Sequence, residues 1–181
     1  MGSPNAEVHA TQVTRRLADL IGGAATLLPA PGVVGSRSAR DVLMKDRFVR
    51  EALELFPKVT LALVGIGATE PSRGLASSGN VFSPQEIKLL AAKGAVGDIC
   101  LRFFNAAGRD MITELNDRVI SIELEQLRAV RRVVGVAGGR RKINAIRGAL
   151  AGKLVNVLIT DLASAERLLA EAVPKRTVQA R

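Results

Sequence analysis

The sequence predicts an α/β protein built on a mostly parallel sheet with flanking helices. Three observations carry that prediction. Apolar runs recur at residues 59–67, 133–137 and 155–159, and segments with apolar residues at helical spacing lie between them. Each run ends where glycine or an N-cap residue would pass a strand on to its next element: Gly65 and Gly67, Gly138 and Gly139, then Thr160-Asp161. Strands separated by helices imply parallel pairing through right-handed crossovers.

Taken in order, residues 6–20 place Val8, Val13, Leu17 and Leu20 at helical spacing and end at Gly22-Gly23, which suits a helix stop. Leu27-Leu28-Pro29-Ala30-Pro31 is a short extended piece broken by its prolines. Residues 38–55 return to helical spacing. The continuous run at 59–67 is of the kind found in a strand buried on both faces. Residues 68–82, rich in Ser, Gly and Pro, read as a loop long enough to be functional. Ser83-Pro84-Gln85-Glu86 has the form of a capping box with proline at an expendable N–H, and predicts a helix to about Lys93.

Residues 96–104 read as one strand interrupted by polar residues, with Ala107-Gly108 as its turn. A short strand at 118–122 and one or two helical turns at 122–129 follow. After Gly138-Gly139, the residues Ile143, Ile146, Leu150 and Leu154 form the apolar stripe of a helix. Residues 155–159 are a strand, and Asp161 can cap a closing helix that runs to Glu171.

Composition bounds the function. At 181 residues, 48% hydrophobic and 24% charged, the chain can bury one real core, and a single domain over residues 1–181 is expected. No window approaches the roughly 20 apolar residues of a membrane helix, and the N-terminus lacks a signal-peptide pattern, so a cytoplasmic protein with no membrane partner is expected. One cysteine, Cys100 between Ile99 and Leu101, allows no internal disulfide and reads as a buried thiol rather than a nucleophile. With one Cys and one His, His9, a four-ligand zinc site cannot be assembled, and no metal or cofactor is expected.

The net charge of +9 raises nucleic acid as a partner. Its distribution argues against this. Basic residues are spread from Arg15-Arg16 to Lys175-Arg176, there is no Tyr or Trp to stack bases, and neither a helix-turn-helix nor a zinc-finger spacing nor a basic zipper is present. An Arg-rich solvated surface, with part of the charge assigned to an anionic ligand, accounts for it.

The stretch from Val133 to Lys142 is the most informative. It reads as a strand delivering an anion to the start of a helix, where backbone N–H groups and the aligned peptide dipoles favour negative charge. Gly138 and Gly139 leave room for a ligand and Lys142 adds a positive charge. The plainer account is a Gly-Gly pair that only turns the chain, since neither a P-loop nor a GxGxxG fingerprint is present. Ligands of open α/β sheets bind beyond the carboxyl ends of the strands, so Gly65, Gly67, Gly138 and Gly139 can line one crevice. Asp98 in Gly97-Asp98 can accept bonds from sugar hydroxyls or serve only as a turn residue. For Asp161 the N-cap role is the stronger reading.

The order and wording of these motifs resemble a known family. Leu27-Leu28-Pro29-Ala30-Pro31, Val64-Gly65-Ile66-Gly67, Gly94-Ala95-Val96-Gly97-Asp98-Ile99 with Phe103-Phe104-Asn105 and Gly108, Val136-Ala137-Gly138-Gly139-Arg140-Arg141-Lys142 with Ala145-Ile146 and Ala149-Leu150, and Val157-Leu158-Ile159-Thr160-Asp161 with Ala165 and Leu168-Leu169 are similar to blocks of the effector domain of SorC-type bacterial transcriptional regulators. The resemblance covers residues 9–169. It implies a fold related to the sugar-phosphate isomerase, deaminase and CoA-transferase group, and a sugar or phosphorylated sugar as effector. It also implies a homo-oligomer, a dimer or tetramer, that holds DNA only through a helix-turn-helix domain not found in this sequence. By the same resemblance Asp98 meets sugar hydroxyls, Lys142 with Gly138 and Gly139 meets an anionic group, and Gly65 and Gly67 shape the opposite wall. Against the family, the sequence reads as lacking a first strand and glycine-rich loop, which would expose a strand edge able to pair with another chain.

Two functions follow. A sugar-sensing regulatory domain that binds without turnover is favoured. The alternative is a sugar-phosphate isomerase or deaminase-like enzyme, for which Asp98 is the one nominated base, with no partner His at a useful spacing.

Overall fold

A computed structural model of the protein describes residues 6–69 and 82–172, and the loop expected at 68–82 lies almost wholly outside the described residues. In chain order the elements are α1 (Ala6–Ile21), α2 (Arg37–Lys45), α3 (Arg47–Leu53), β1 (Leu61–Gly65), β2 (Gly67–Ala68), α4 (Pro84–Ala92), β3 (Ala95–Ile99), β4 (Arg102–Asn105), α5 (Leu124–Ala129), β5 (Arg132–Val136), α6 (Ile143–Ala151), β6 (Val157–Ile159) and α7 (Leu162–Ala172). The fold is mixed α/β, as expected, but the sheet is not one mostly parallel unit. A parallel sheet in the order β1-β5-β6 and an antiparallel sheet in the order β2-β3-β4 share the strands equally.

The antiparallel sheet arises where a single interrupted strand was expected. Residues 96–104 fold back on themselves at Cys100 and Leu101, both at positive φ (52° and 66°), so β3 and β4 make a tight hairpin. The Asp98 carboxylate accepts the Leu101 N–H across that turn at 3.2 Å. Arg102, whose charge looked like an interruption, is buried, and donates to Glu123 at 2.6 Å and to Ser121 at 3.2 Å. Cys100 is thereby exposed at the turn rather than in the core. Desolvation, with the nearby Asp98 carboxylate, still pushes its thiol up to about 11, which disfavours the thiolate.

Local signals account for the helix ends. Gly22, at φ +66°, stops α1, and the Gly23 N–H bonds back to the Ala18 carbonyl at 2.8 Å, a Schellman ending. The helical stretch at 38–55 is two helices, because Asp46 leaves helical geometry and its side chain accepts the Phe48 and Val49 N–H groups. The Ser83/Glu86 capping box opens α4 as its spacing predicted. The expected strand at 118–122 forms only an isolated bridge, Val33 to Val119, after a 3-10 turn at Glu114–Arg118.

The main core lies on one face of the parallel sheet. Val64 and Val133 from that face meet Ile66, Ile99, Phe104, Leu124, Leu127, Ile146 and Leu154, and a smaller cluster joins Phe82, Ile87, Leu90 and Phe103. In α6 the buried stripe is Ile143, Ile146 and Ala149, while Leu150, expected inside, is exposed. β1 is likewise not buried on both faces. It is an edge strand, and Leu61 and Leu63 point away from the core.

Candidate functional site

The three parallel strands lie side by side, so their carboxyl ends are adjacent, and the segments that leave them meet there. From β1 the chain passes through buried Ile66 into Gly67, which crosses to the antiparallel sheet and pairs with Asp98. Gly67 is required by close approach: a Cβ built there would lie 1.9 Å from Asp98 Oδ1. Beyond β5, Gly138 and Gly139 lead into a 3-10 turn, Arg140–Lys142, before α6 begins at Ile143. That turn returns Lys142 across the junction, where its Nζ donates to the Ile66 carbonyl at 2.8 Å.

Gly67, Asp98 and Lys142, 75 residues apart at the extremes of the sequence they span, thus form one cluster. Asp98 stands within β3, is half-buried, and accepts the Leu101 N–H. Burial pushes its carboxyl up to about 6, against the opposing effects of the Leu101 bond and the Lys142 charge. The result is an acceptor whose charge is costly alone and would gain from further donors.

The turn at Gly138 and Gly139 is built differently. Gly138 also sits under a carboxylate, 2.3 Å from a built Cβ to Asp161 Oδ2. Gly139, at φ +93°, donates its N–H to Asp161 Oδ2 at 2.7 Å and to Ser164 Oγ at 2.9 Å. Asp161 caps α7 through the Ser164 N–H at 2.9 Å, as its position predicted. Hydrogen bonds from the Ser164 side chain, the Ser164 backbone and the Gly139 N–H hold its carboxyl below the usual range. In this structure the Gly139 N–H is therefore occupied by protein groups. Gly65 ends β1 opposite Val136, and a side chain there would meet nothing within 4 Å, so packing does not demand glycine.

Sequence reasoning missed three participants: the Ile66 carbonyl, the Leu101 N–H and Ser164. Ser164 had a legible signal, three residues after an N-cap Asp, whereas the other two are backbone groups that no residue type announces. A separate open groove of about 720 Å³, lined by residues that include Leu89, Lys93 and Ile112, lies away from this cluster. Convergent polar groups, not concavity, mark the candidate site.

The family model described as "Putative sugar-binding domain" matches residues 1–170. The chain belongs to this SorC-type sugar-binding domain family. It is 39% identical over 142 residues to the deoxyribonucleoside regulator of Bacillus subtilis (strain 168), covering 78% of this chain and 45% of that protein. It is 32% identical over 159 residues to the erythritol catabolism regulatory protein of Brucella abortus (strain 2308), with 88% and 48% covered. Among solved structures, the full-length sorbitol operon regulator SorC of Klebsiella pneumoniae superposes with a TM-score of 0.80 at 28% identity, over 87% of this chain and 50% of the other. These relatives are regulators by name, not enzymes. The chain spans about half the length of the curated relatives it matches. Among the described residues no helix is long and apolar enough to cross a membrane.

Proposed function

We propose that residues 1–181 form one effector domain of a cytoplasmic, homo-oligomeric regulator of carbohydrate metabolism, and that it binds a sugar or phosphorylated sugar without turning it over. Its kinship would extend to the sugar-phosphate isomerase, deaminase and CoA-transferase group. DNA contact would belong to a helix-turn-helix domain outside this sequence. The observation that carries the reading is the convergence of a half-buried, charge-starved carboxylate and an ammonium group on the junction between the two sheets. Sugar hydroxyls would supply the donors Asp98 lacks, and an anionic group would draw Lys142 from the Ile66 carbonyl. The names of the relatives, regulators of deoxyribonucleoside and erythritol use, support small polyols and sugars as the class.

The position suits regulation. Ile66 and Gly67 join the parallel sheet to the antiparallel one, so a ligand held by both Asp98 and Lys142 would favour one relation of the sheets over another. That differential affinity is what shifts an assembly between states. Catalysis has less support, because a proton-transfer enzyme needs a base with a defined partner and Asp98 shares its surroundings with a lysine already bonded to backbone.

The test is a thermal-shift screen against sugars, polyols, deoxyribonucleosides and sugar phosphates, followed by calorimetry and recovery of the ligand. A ligand at 100 times its Kd should add about 2.7 kcal/mol of stability and be recovered unchanged. A flat response from the folded chain would overturn the binding reading, and consumption of the compound would replace it with the enzymatic one.

A further inference from the structure

A line of close backbone contacts runs from the neighbours of Asp98 and Lys142 to the far end of α6. The helix starts one residue after Lys142, and Ala145, Gly148 and its C-cap Gly152 follow at spacings of three and four, on one face. That face lies on the β3–β4 hairpin. A Cβ built at Gly97, the residue before Asp98, would lie 2.6 Å from the Ala145 methyl. One at Gly148 would lie 2.9 Å from both the Asn105 carbonyl oxygen and a Val96 methyl, and one at Gly152 would lie 2.5 Å from the Gly108 Cα, in the turn after β4.

The backbone does not ask for glycine on this face of the helix. Gly148 is inside α6 and Gly152 stands at φ −81°, so either could be alanine, the better helix former, were it not for the hairpin. Much of the obstacle is main chain, which cannot swing aside: the Asn105 carbonyl is itself held by the Gly108 N–H at 2.8 Å. Arg128 fastens the far end, donating to the Gly108 carbonyl at 2.7 Å and to the Gly152 carbonyl at 3.2 Å. Gly97 and Ala145 close the near end, one residue from Asp98 and three from Lys142.

We propose that this seam sets the separation of Asp98 and Lys142, and that Gly148 and Gly152 are positioning residues for a ligand held by that pair. The inference rests on the assignment of the ligand to Asp98 and Lys142. Asp98 is carried by the hairpin and Lys142 by the start of α6, so a shift between those two bodies is a shift of the pair. A methyl at position 148 has to move from 2.9 Å to ordinary contact, and the helix lifts off the hairpin by about 0.5 Å or more.

The test is a cycle of substitutions read by the titration of the Asp98 carboxyl carbon in the 13C-labelled full chain, its signal assigned by its loss in Asp98→Asn. Among the described residues, the titratable groups acting on Asp98 are Lys142 from α6 and the Cys100 thiol in its own turn, which stays protonated through this range. Lys142→Met removes a charge that favours the carboxylate, and should raise the Asp98 midpoint above its value of about 6. In Gly148→Ala that rise should shrink by about a third, and in Gly148→Val by more than about half, because the pair already stands further apart. Comparing the rise within each background removes any change in hydration common to both. Val49→Ala, at a buried position on α3 outside both core clusters, loosens the fold elsewhere and should leave the rise at its wild-type size. If Gly148→Val fails to fold, Gly152→Ala supplies the second point.

A rise of full size in the glycine variants overturns the seam alone, as does an equal shrinkage in Val49→Ala. An Asp98 midpoint that Lys142→Met leaves unmoved in the wild-type background overturns the pair, and the seam with it. The measurement needs no ligand, so a failure of sugar binding and a failure of the seam are read separately.

Discussion

Two carboxylates press on two glycines at the ends of the parallel strands, and they do opposite work. Asp161, against Gly138, is exposed and accepts from the Gly139 N–H, the Ser164 N–H and the Ser164 hydroxyl. Those bonds favour its charge and hold its carboxyl low. Asp98, against Gly67, is half-buried, and one N–H, from Leu101, donates to it. Burial wins there and lifts it to about 6 from 3.8. A carboxylate saturated by its own fold is architecture, whereas one left short of donors beside a lysine is the one we propose meets the ligand.

The sign of the pH effect follows. Folding raises the Asp98 pKa, so the folded chain binds that proton more tightly than the unfolded one, and ionised Asp98 subtracts stability. The cost is absent below pH 3.8, grows across the window to about 6, and is complete above it, at about 3 kcal/mol. Asp161 runs the other way: its depressed pKa contributes stability above the unfolded value that is lost as pH falls through the folded one.

The largest effect expected is at the glycines. In Gly67→Ala the new methyl collides with a side chain already pinned by Leu101, and urea denaturation should show a loss of about 3 kcal/mol. In Gly138→Ala the colliding atom is the tip of an exposed side chain that can turn away, so the loss should be clearly smaller. Equal losses would erase the distinction between the two carboxylates. Next comes Lys142→Ala, which should weaken phosphorylated sugars about 10- to 100-fold and neutral sugars much less by calorimetry. The same loss for both classes would remove the phosphate role. The smallest effect is the sharpest discriminator: Asp98→Asn should weaken both sugar classes yet raise stability at pH 8 by about 1–3 kcal/mol, the gain vanishing by pH 4. Asp161→Asn should instead lower stability at pH 8, with the deficit closing in acid. A loss of stability in Asp98→Asn would make Asp98 a second structural carboxylate.

Much of this was legible in the sequence, element by element. The Gly22-Gly23 stop, the Ser83/Glu86 box, the short helix expected at 122–129 and the Asp161 cap each rest on contacts within a few residues, so local residue types were enough. Three parallel strand ends were placed correctly for the same reason, since each strand is followed by its own glycine or cap. The errors fall where a distant contact decides. In residues 96–104 the turn at Cys100 and Leu101 splits the run, and the charge of Arg102 that looked like an interruption is buried against Glu123 and Ser121 about twenty residues ahead. Leu61 and Leu63 are exposed because they lie, with Val136 and Ile159, on the face of the parallel sheet away from the core, and an apolar run reads the same whether one face is covered or two.

The candidate site divides in the same way. Asp98, Lys142 and the glycine pairs were nominated from residue type and position, and the sequence by itself determined family membership through blocks in a fixed order. Only the tertiary structure decided that Lys142 reaches the Ile66 carbonyl, that Gly67 is glycine because of Asp98, and that the Gly139 N–H is engaged by Asp161 and Ser164. The reason is physical. Caps, turns and helical stripes are set by interactions a few residues long, which the order of residues records directly. The state of a carboxylate is set by burial and by groups tens of residues away, which exist only once two sheets have been packed together.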